Sequence, residues 1–421
     1  MPEIIIAINK LSIKNNQKNS IGRKIMNRKL NQTEEINITR RYGIKALGYA
    51  AVAVASTGII PNLDKYVLSE ANAASSAKFK LRFGTIIAPK ADRYLASGMY
   101  HLAKAIQEKS DGEVSVQLLD KNQVCAETAC AKKVASGVLD IGSASSTNLS
   151  LVAAFSNAID WPMLWAGRDE IFNFLFSPES EKHYRSIMRK AYGMEMLHYY
   201  GDMRSIFMGL KYSDKGDIKT PGELKGAKIR ISGSEMFQNF TQSLGMNPIP
   251  LAWVETLEGM KSGVVDAMET FPSAAAGYGM TKVSAQAVDV NFSPGVCPAF
   301  LASKSFDKMP GRLQEVVYES AWEAQKLAYE EGIKSSNAIV GNGEAPTADS
   351  EYQKVPMRDI RLTDGERAAF ADLGGVEKNM NLYSSIRSQL DKIGGYDVYG
   401  VMKEQADGLK GKSIDMQKWW T

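Results

Sequence analysis

Apolar and polar positions along this chain fall into two matching runs of alternating strand and helix. Phe79, Leu81 and Phe83 alternate with polar residues through Lys78–Ile87, the period of a half-buried strand. Leu95, Met99, Leu102 and Ile106 then recur at helical spacing, and Ser110-Asp111-Gly112 closes that helix. Strand Glu113–Leu119, a helix through Lys132-Lys133-Val134 and strand Val138–Gly142 complete a β-α-β-α-β core. The second run is strand Ala227–Ile231, a helix carrying Met236, Phe237, Phe240 and Leu244, strand Pro248–Ala252, helix Glu255–Ser262 and strand Val264–Met268. Ser232-Gly233-Ser234-Glu235 reads as a capping box that starts its first helix, and Gly245 stops that helix. Leu313, Val316, Val317, Ala321 and Ala324 predict a long helix from Asp307 that crosses between the two halves. Thr363–Leu373 predicts a shorter helix in a tail of polar loops.

An internal repeat ties the halves together. Ser136-Gly137-Val138-Leu139-Asp140-Ile141-Gly142 echoes Ser262-Gly263-Val264-Val265-Asp266-Ala267-Met268 almost position for position. Two related units on one chain predict an α/β fold of two lobes, with like ends facing each other across a cleft. In such units ligands bind at the carboxyl ends of the strands. Those ends carry Arg230 and Gly233, then Trp253, then Glu269, Thr270 and Phe271. A cation and an aromatic converging there point to recognition of a small anion rather than to chemistry on it. Ser143, Ser145 and Ser146 follow the corresponding strand of the first lobe and offer hydroxyl donors from the opposite wall.

Composition narrows the function classes. A chain of 421 residues with 44% hydrophobic and 23% charged residues is long enough for two domains with their own cores. The net charge of +4 arises from the N-terminal region. Without the eleven basic and five acidic residues of 1–73, the chain has 40 basic against 42 acidic residues. No overall basic field remains to attract nucleic acid. Residues 1–73 read as a cleaved export signal. Thr39-Arg40-Arg41-Tyr42-Gly43-Ile44-Lys45 approximates a twin-arginine motif, Ala46–Ile60 is apolar, and Ala71-Asn72-Ala73 offers a cleavage site. Periplasmic export follows from that reading.

Cys125 and Cys130 leave two readings open: a small disulfide loop in an oxidising compartment, or two reduced thiols. Cys297 reads as a packed small hydrophobe. No histidine accompanies these cysteines, so no metal site and no cofactor are expected.

Three further stretches give the pattern a family. Leu224-Lys225-Gly226-Ala227-Lys228-Ile229-Arg230-Ile231-Ser232-Gly233-Ser234, then Leu244-Gly245-Met246-Asn247-Pro248-Ile249-Pro250, then Gly263-Val264-Val265-Asp266-Ala267-Met268-Glu269 resemble the solute-binding proteins of tripartite ATP-independent periplasmic (TRAP) transporters, of the dicarboxylate-binding type. Lys304-Ser305-Phe306-Asp307-Lys308-Met309-Pro310 and Ile360–Arg367 are similar to later segments of the same family, so the likeness runs from about Phe79 to about Leu373. It implies a type II-like periplasmic binding protein clamshell with a long inter-lobe helix. It also implies capture of a small organic acid and its delivery to TRAP membrane permease subunits. Carried over by position, Arg230 is the arginine that pairs with the ligand carboxylate, a task its planar fork suits. Arg204 sits where some members carry a second ligand-binding arginine, and Trp253 where an aromatic stacks on the ligand. The chain departs from the pattern at Met268-Glu269-Thr270-Phe271-Pro272, where many members read Gln-Glu-Asn-Pro. Thr270 replaces an amide by a hydroxyl and Phe271 adds apolar surface, which argues against a C4-dicarboxylate or sialic acid. Trp161, Trp165, Met236 and Met268 are further candidates for an apolar or aromatic wall.

The resulting domain expectation is a signal at 1–73, a first lobe of 74–201 rejoined by 296–335, and a second lobe of 202–295 with 336–421. No long flexible linker is present in the mature part, so short hinge segments must join the lobes. The rival classes are a secreted enzyme exported by the twin-arginine route and a ligand-delivery protein for a membrane sensor. Against an enzyme, His101, His183 and His198 form no H-x-x-x-H pair and no G-x-S-x-G elbow occurs. Asp140 and Asp266 occupy equivalent places in the repeat and read as structural rather than as paired catalytic acids.

Overall fold

The computed structural model describes residues 77–340, 348 and 350–421; the expected export segment lies outside them. Strand β1 (Phe79–Gly84) leads through α1 (Pro89–Leu95) and α2 (Met99–Lys109) to β2 (Val114–Leu119), α3 (Glu127–Ala135) and β3 (Ile141–Ser143). After α4 (Arg168–Phe176) and α5 (Ser186–Tyr192), β4 (Met194–Tyr200) returns to the same sheet. The chain then crosses into β5 (Ser205–Gly209), β6 (Lys228–Ile231), α6 (Glu235–Ser243), β7 (Asn247–Pro250), α7 (Thr256–Ser262), β8 (Ala267–Thr270), α8 (Pro272–Gly277) and β9 (Ser284–Val288). It comes back as β10 (Cys297–Ala302) and runs into α9 (Gly311–Val340). Strand β11 (Arg358–Ile360) and helices α10 (Asp364–Gly374), α11 (Ser384–Gly394) and α12 (Val398–Leu409) follow.

Two sheets result, ordered β2-β1-β3-β10-β4 and β11-β9-β5-β8-β6-β7. Each has a parallel core and antiparallel additions. Strand β1 is parallel to β2 and β3, and β6 is parallel to β7 and β8. The prolines of β7, Pro248 and Pro250, lie on an edge strand, where a missing N–H breaks no ladder bond.

The sequence repeat has a common structural cause. The Arg82 N–H donates to the Asp140 carboxylate at 2.8 Å, and the Asp140 N–H donates back to the Arg82 carbonyl. In the second lobe the Lys228 N–H donates to Asp266 at 2.9 Å, and the Asp266 N–H donates to the Lys228 carbonyl. Each aspartate therefore locks the entry of a parallel strand onto its neighbour, a structural role in both copies.

Two short segments carry the chain between lobes. Tyr200 ends β4 and Ser205 begins β5, while Val288 ends β9 and Cys297 begins β10. These crossings run side by side: the Arg204 N–H donates to Ser293 O at 2.9 Å and the Gly295 N–H to Asp202 O at 2.6 Å. Helix α9 is the third connection. Leu313, Val317, Ala321 and Ala324 pack into the first-lobe core, whereas Ile339 and Val340 pack with Phe207 and Met268 of the second.

Several expectations need correction. The stripe from Leu95 to Ile106 belongs to two helices, broken where Ala96 and Gly98 adopt positive φ. The break brings Gly98 against α9, since a Cβ there would stand 2.6 Å from the Ala324 carbonyl oxygen. All four apolar residues remain buried, which is why their spacing imitates one helix. Of the two readings open for Cys125 and Cys130, the disulfide is the one formed, with a Cα–Cα separation of 5.0 Å; Cys125 precedes α3, so the pair does not span a helical turn. Residues 336–421 do not all accompany the second lobe. Strand β11 joins its sheet and α10 packs on α6, but α11 and α12 lie against residues 154–159 and α4. Beyond them Trp419 is 1% exposed, with the Arg185 guanidinium 3.8 Å from its ring centroid. Burial of Trp419 under Arg185, with the half-buried Trp420 stacked on Tyr318, holds the C-terminus away from β11.

The crossing leaves no room for a side chain at Gly201, where φ is +130° and a Cβ would stand 2.3 Å from the Gly295 carbonyl oxygen. Gly201→Ala is expected to destabilise the protein by about 1–3 kcal/mol. Urea unfolding followed by circular dichroism checks this, and an unchanged midpoint would show that the crossing tolerates displacement.

Candidate functional site

The register of the second sheet brings distant residues to one edge. Arg230 pairs with Met268, and Ser205 pairs with Thr270, so the ends of β6 and β8 and the start of β5 coincide. Arg204, immediately before β5, thus arrives beside Arg230 and Glu269. All three side chains are at most 5% exposed. Glu269 bridges the arginines: one carboxylate oxygen lies 2.5 Å from Arg204 Nη1 and the other 3.2 Å from Arg230 Nη1. Arg230 Nε also donates to the Leu251 carbonyl at 2.9 Å, and the guanidinium carbon sits 5.4 Å from the Trp253 ring centroid. The second arginine stands 5.1 Å from the Phe237 ring centroid. Burial disfavours both guanidinium charges and Glu269 restores them, more fully for Arg204, which it contacts more closely.

The first lobe supplies the opposite wall. Glu127, in the first turn of α3, accepts the Ser145 N–H at 3.1 Å and a bond from the Asn148 side-chain amide. Desolvation raises its pKa, opposed by those two bonds and by the two arginines across the cleft. Behind Arg204 lies Asp160, which accepts the Ser146 hydroxyl at 2.8 Å through one oxygen. Its other oxygen, Oδ2, is buried with no hydrogen-bond partner among the described residues. Burial pushes the Asp160 pKa up to about 7.

A cavity of about 40 Å³ joins these groups, lined by Arg204, Arg230, Glu127, Trp253, Tyr200 and Tyr278 among others. Past Glu127 and Trp253 lies a groove of about 290 Å³. Of the residues expected from sequence, Arg230, Arg204, Trp253, Glu269, Thr270, Phe271 and Ser145 all line the cavity. Gly233 does not: it is exposed and faces Leu151 of the first lobe. The capping box beside it does not form either. Helix α6 starts after Ser234 without a side-chain cap bond, because the Ser232 N–H donates to Glu269 and the Ser234 hydroxyl turns to Asn157. Trp161, Trp165, Met236 and Met268 are core residues outside the cavity. Ser143 bonds Thr85 and Ser146 bonds Asp160, which leaves Ser145 as the cavity serine of that turn.

Sequence reasoning missed Glu127, Asn148, Tyr200 and Tyr278. A usable signal existed for Glu127, since it opens the helix after a parallel strand, at the carboxyl edge where ligands bind.

A larger cavity of about 840 Å³ opens behind the hinge, bordered by Asp202, Pro272, Asp289 and Asn291. Of its arginines, Arg361 bonds Asp359 and the Val340 carbonyl, whereas Arg168 donates only through Nη2, to the carbonyls of Ala328 and Tyr329, with its guanidinium packed over the Phe172 and Tyr329 rings and its Nε and Nη1 without a hydrogen-bond partner among the described residues. The smaller cavity is the better site, because it lies at the carboxyl edge of the second sheet and has two buried guanidiniums in its lining.

Known proteins share this architecture. Residues 83–359 match the profile of bacterial extracellular solute-binding protein, family 7. The 2,3-diketo-L-gulonate-binding periplasmic protein of Escherichia coli K12 is 24% identical over 321 residues, 74% of this chain and 90% of that protein. A TRAP periplasmic solute-binding protein from Pseudomonas putida F1, solved with D-glucuronate, superposes with a TM-score of 0.67 at 15% identity, covering 82% of this chain and 100% of its own. Another from Desulfovibrio salexigens, solved with orotic acid, gives a TM-score of 0.65 at 14% identity over 79% of this chain and 99% of its own. At these identities the two structures show a shared two-lobed fold.

The Asp160 shift sets a pH dependence. Its pKa rises on folding from 3.8 to about 7, so the folded protein binds more protons between those values. The contribution to stability is therefore favourable in acid, falls as pH rises through that window, and is flat above it. Asp160→Asn is expected to remove this decline, raising the urea midpoint relative to wild type more at about pH 8 than at about pH 5. Parallel profiles for the two proteins would contradict the assignment.

Proposed function

The chain belongs to bacterial extracellular solute-binding protein family 7, and from this premise we propose that it holds a small organic acid in the inter-lobe cleft through its carboxylate. The observation that carries this reading is the pair of buried guanidiniums, Arg204 and Arg230, at the carboxyl edge of the second sheet, facing a cavity. Arg230 contacts the ligand carboxylate, Arg204 supports it, and Trp253, Phe271 and Tyr278 form the apolar side of the site. Thr270 and Ser145 offer hydroxyls, and Glu269 holds the arginines in place. The relatives named above bind carboxylic acids, diketogulonate in one case and glucuronate or orotate in the others, which supports the same ligand class here.

Binding belongs to the family; the further steps are part of this proposal. Residues 1–73 direct export to the periplasm, the lobes close over the acid, and the closed form is read by TRAP membrane permease subunits. The ligand leaves chemically unaltered. Among the described residues no helix is long and apolar enough to cross a membrane, so in this reading the membrane step rests with those subunits.

A charge-assisted hydrogen bond contributes about 1.5–3 kcal/mol, so loss of the Arg230 fork is expected to weaken binding at least tenfold. Isothermal titration of Arg230→Ala against an acid found by thermal-shift screening checks this, with circular dichroism to show a retained fold. An unchanged dissociation constant would contradict the reading.

A further inference from the structure

The charges around the cavity do not suit every organic acid equally. Two guanidiniums, Arg204 and Arg230, share one carboxylate, Glu269. Glu127 faces them from the first lobe. Its carboxylate is held by the Ser145 N–H and the Asn148 amide, and no lysine or arginine among the described residues forms an ion pair with it. Lys132 lines the outer groove without pairing to it. Asp160, buried with Oδ2 unpartnered, fits its neutral form.

With Asp160 neutral and Glu127 ionised, as its Ser145 and Asn148 hydrogen bonds and the two arginines favour, two positive and two negative charges remain. A plain monocarboxylate brings the closed cleft to a net charge of −1 and a dicarboxylate to −2. Uncompensated charge in a desolvated site is costly. A ligand carrying one carboxylate and one cationic nitrogen leaves the balance at zero. The position of Glu127 suits such a nitrogen. It stands across the cavity from the arginines, where the enclosed space meets the groove, with Trp253 lining both spaces and Tyr200 and Tyr278 lining the cavity. Aromatic faces favour a partly desolvated cation and tolerate an apolar body.

Resting on the reading above, we propose that the cleft selects zwitterions, α-amino acids or their N-methylated betaines, with the carboxylate on Arg230 and Arg204 and the cationic nitrogen received by Glu127. Glu127 is then the specificity-determining residue. Thr270, in place of an amide, leaves the carboxylate end to the arginines.

The test is isothermal titration of the mature protein with matched pairs, each an α-amino acid or betaine and the α-hydroxy acid with the same side chain. Wild type is expected to bind the zwitterion at least about tenfold more tightly, the size of one charge-assisted contact. Glu127→Gln should abolish that preference and Glu127→Asp should keep most of it, with thermal melts confirming folded protein. Hydroxy acids binding as tightly as their zwitterions, or a preference that survives Glu127→Gln, would overturn the proposal while leaving organic-acid capture standing. Binding of neither kind, with no other carboxylate bound, would overturn both.

Discussion

Glu269 is the constraint on which the rest of the site depends. It is fully buried, yet it reaches both Arg204 and Arg230 and also accepts the Ser232 N–H. Without it two guanidiniums would sit side by side in a desolvated pocket, and breaking such a buried pairing typically costs about 3–5 kcal/mol. The bridge spans three strand ends, so the second sheet must keep β5, β8 and β6 adjacent and in register. Site geometry and sheet order are one requirement. Arg185 shows the contrast. It is as deeply buried, but its nitrogens are spent on the carbonyls of Leu175, Met196 and Leu197, so it serves the fold.

The other half of the site is anchored independently. Glu127 belongs to the first lobe, two residues beyond a disulfide-bonded cysteine. Its approach to the arginines depends on how the lobes are set across the two crossings and α9. Those crossings are backbone against backbone, as the bonds between Arg204 and Ser293 and between Gly295 and Asp202 show. Arg204 is itself a crossing residue, so the hinge and the binding edge share a side chain. A ligand that draws on Arg204 therefore acts directly on the segment about which the lobes are joined.

Much of this was legible in the chain. The repeat around Asp140 and Asp266 was visible because both aspartates solve the same local problem, tying a strand entry to its neighbour. Arg230, Trp253 and Glu269 could be placed at one edge because strand ends in a parallel unit share a face. The long helix announced itself through apolar spacing. What could not be read depended on tertiary partners. The break at Ala96–Gly98 serves the close approach of α9, and the capping box fails because Glu269 accepts the Ser232 N–H that the Glu235 side chain would accept in a local cap. Asp160 lies next to Trp161 and Pro162 in an apolar stretch, and only the fold reveals that it backs onto Arg204. The place of the final tryptophans could not be read because their partners, Arg185 and Tyr318, are remote in sequence.

The central claim is that a guest carboxylate meets Arg230 inside the cleft while Glu269 continues to hold both arginines. A crystal structure of the mature protein with an acid found by screening tests it most directly. The account predicts a carboxylate oxygen within hydrogen-bond distance of the Arg230 guanidinium, with ligand atoms between Trp253 and the Glu127 wall. A ligand seated in the cavity behind the hinge, with Arg230 still bonded only to Glu269 and Leu251, would contradict it.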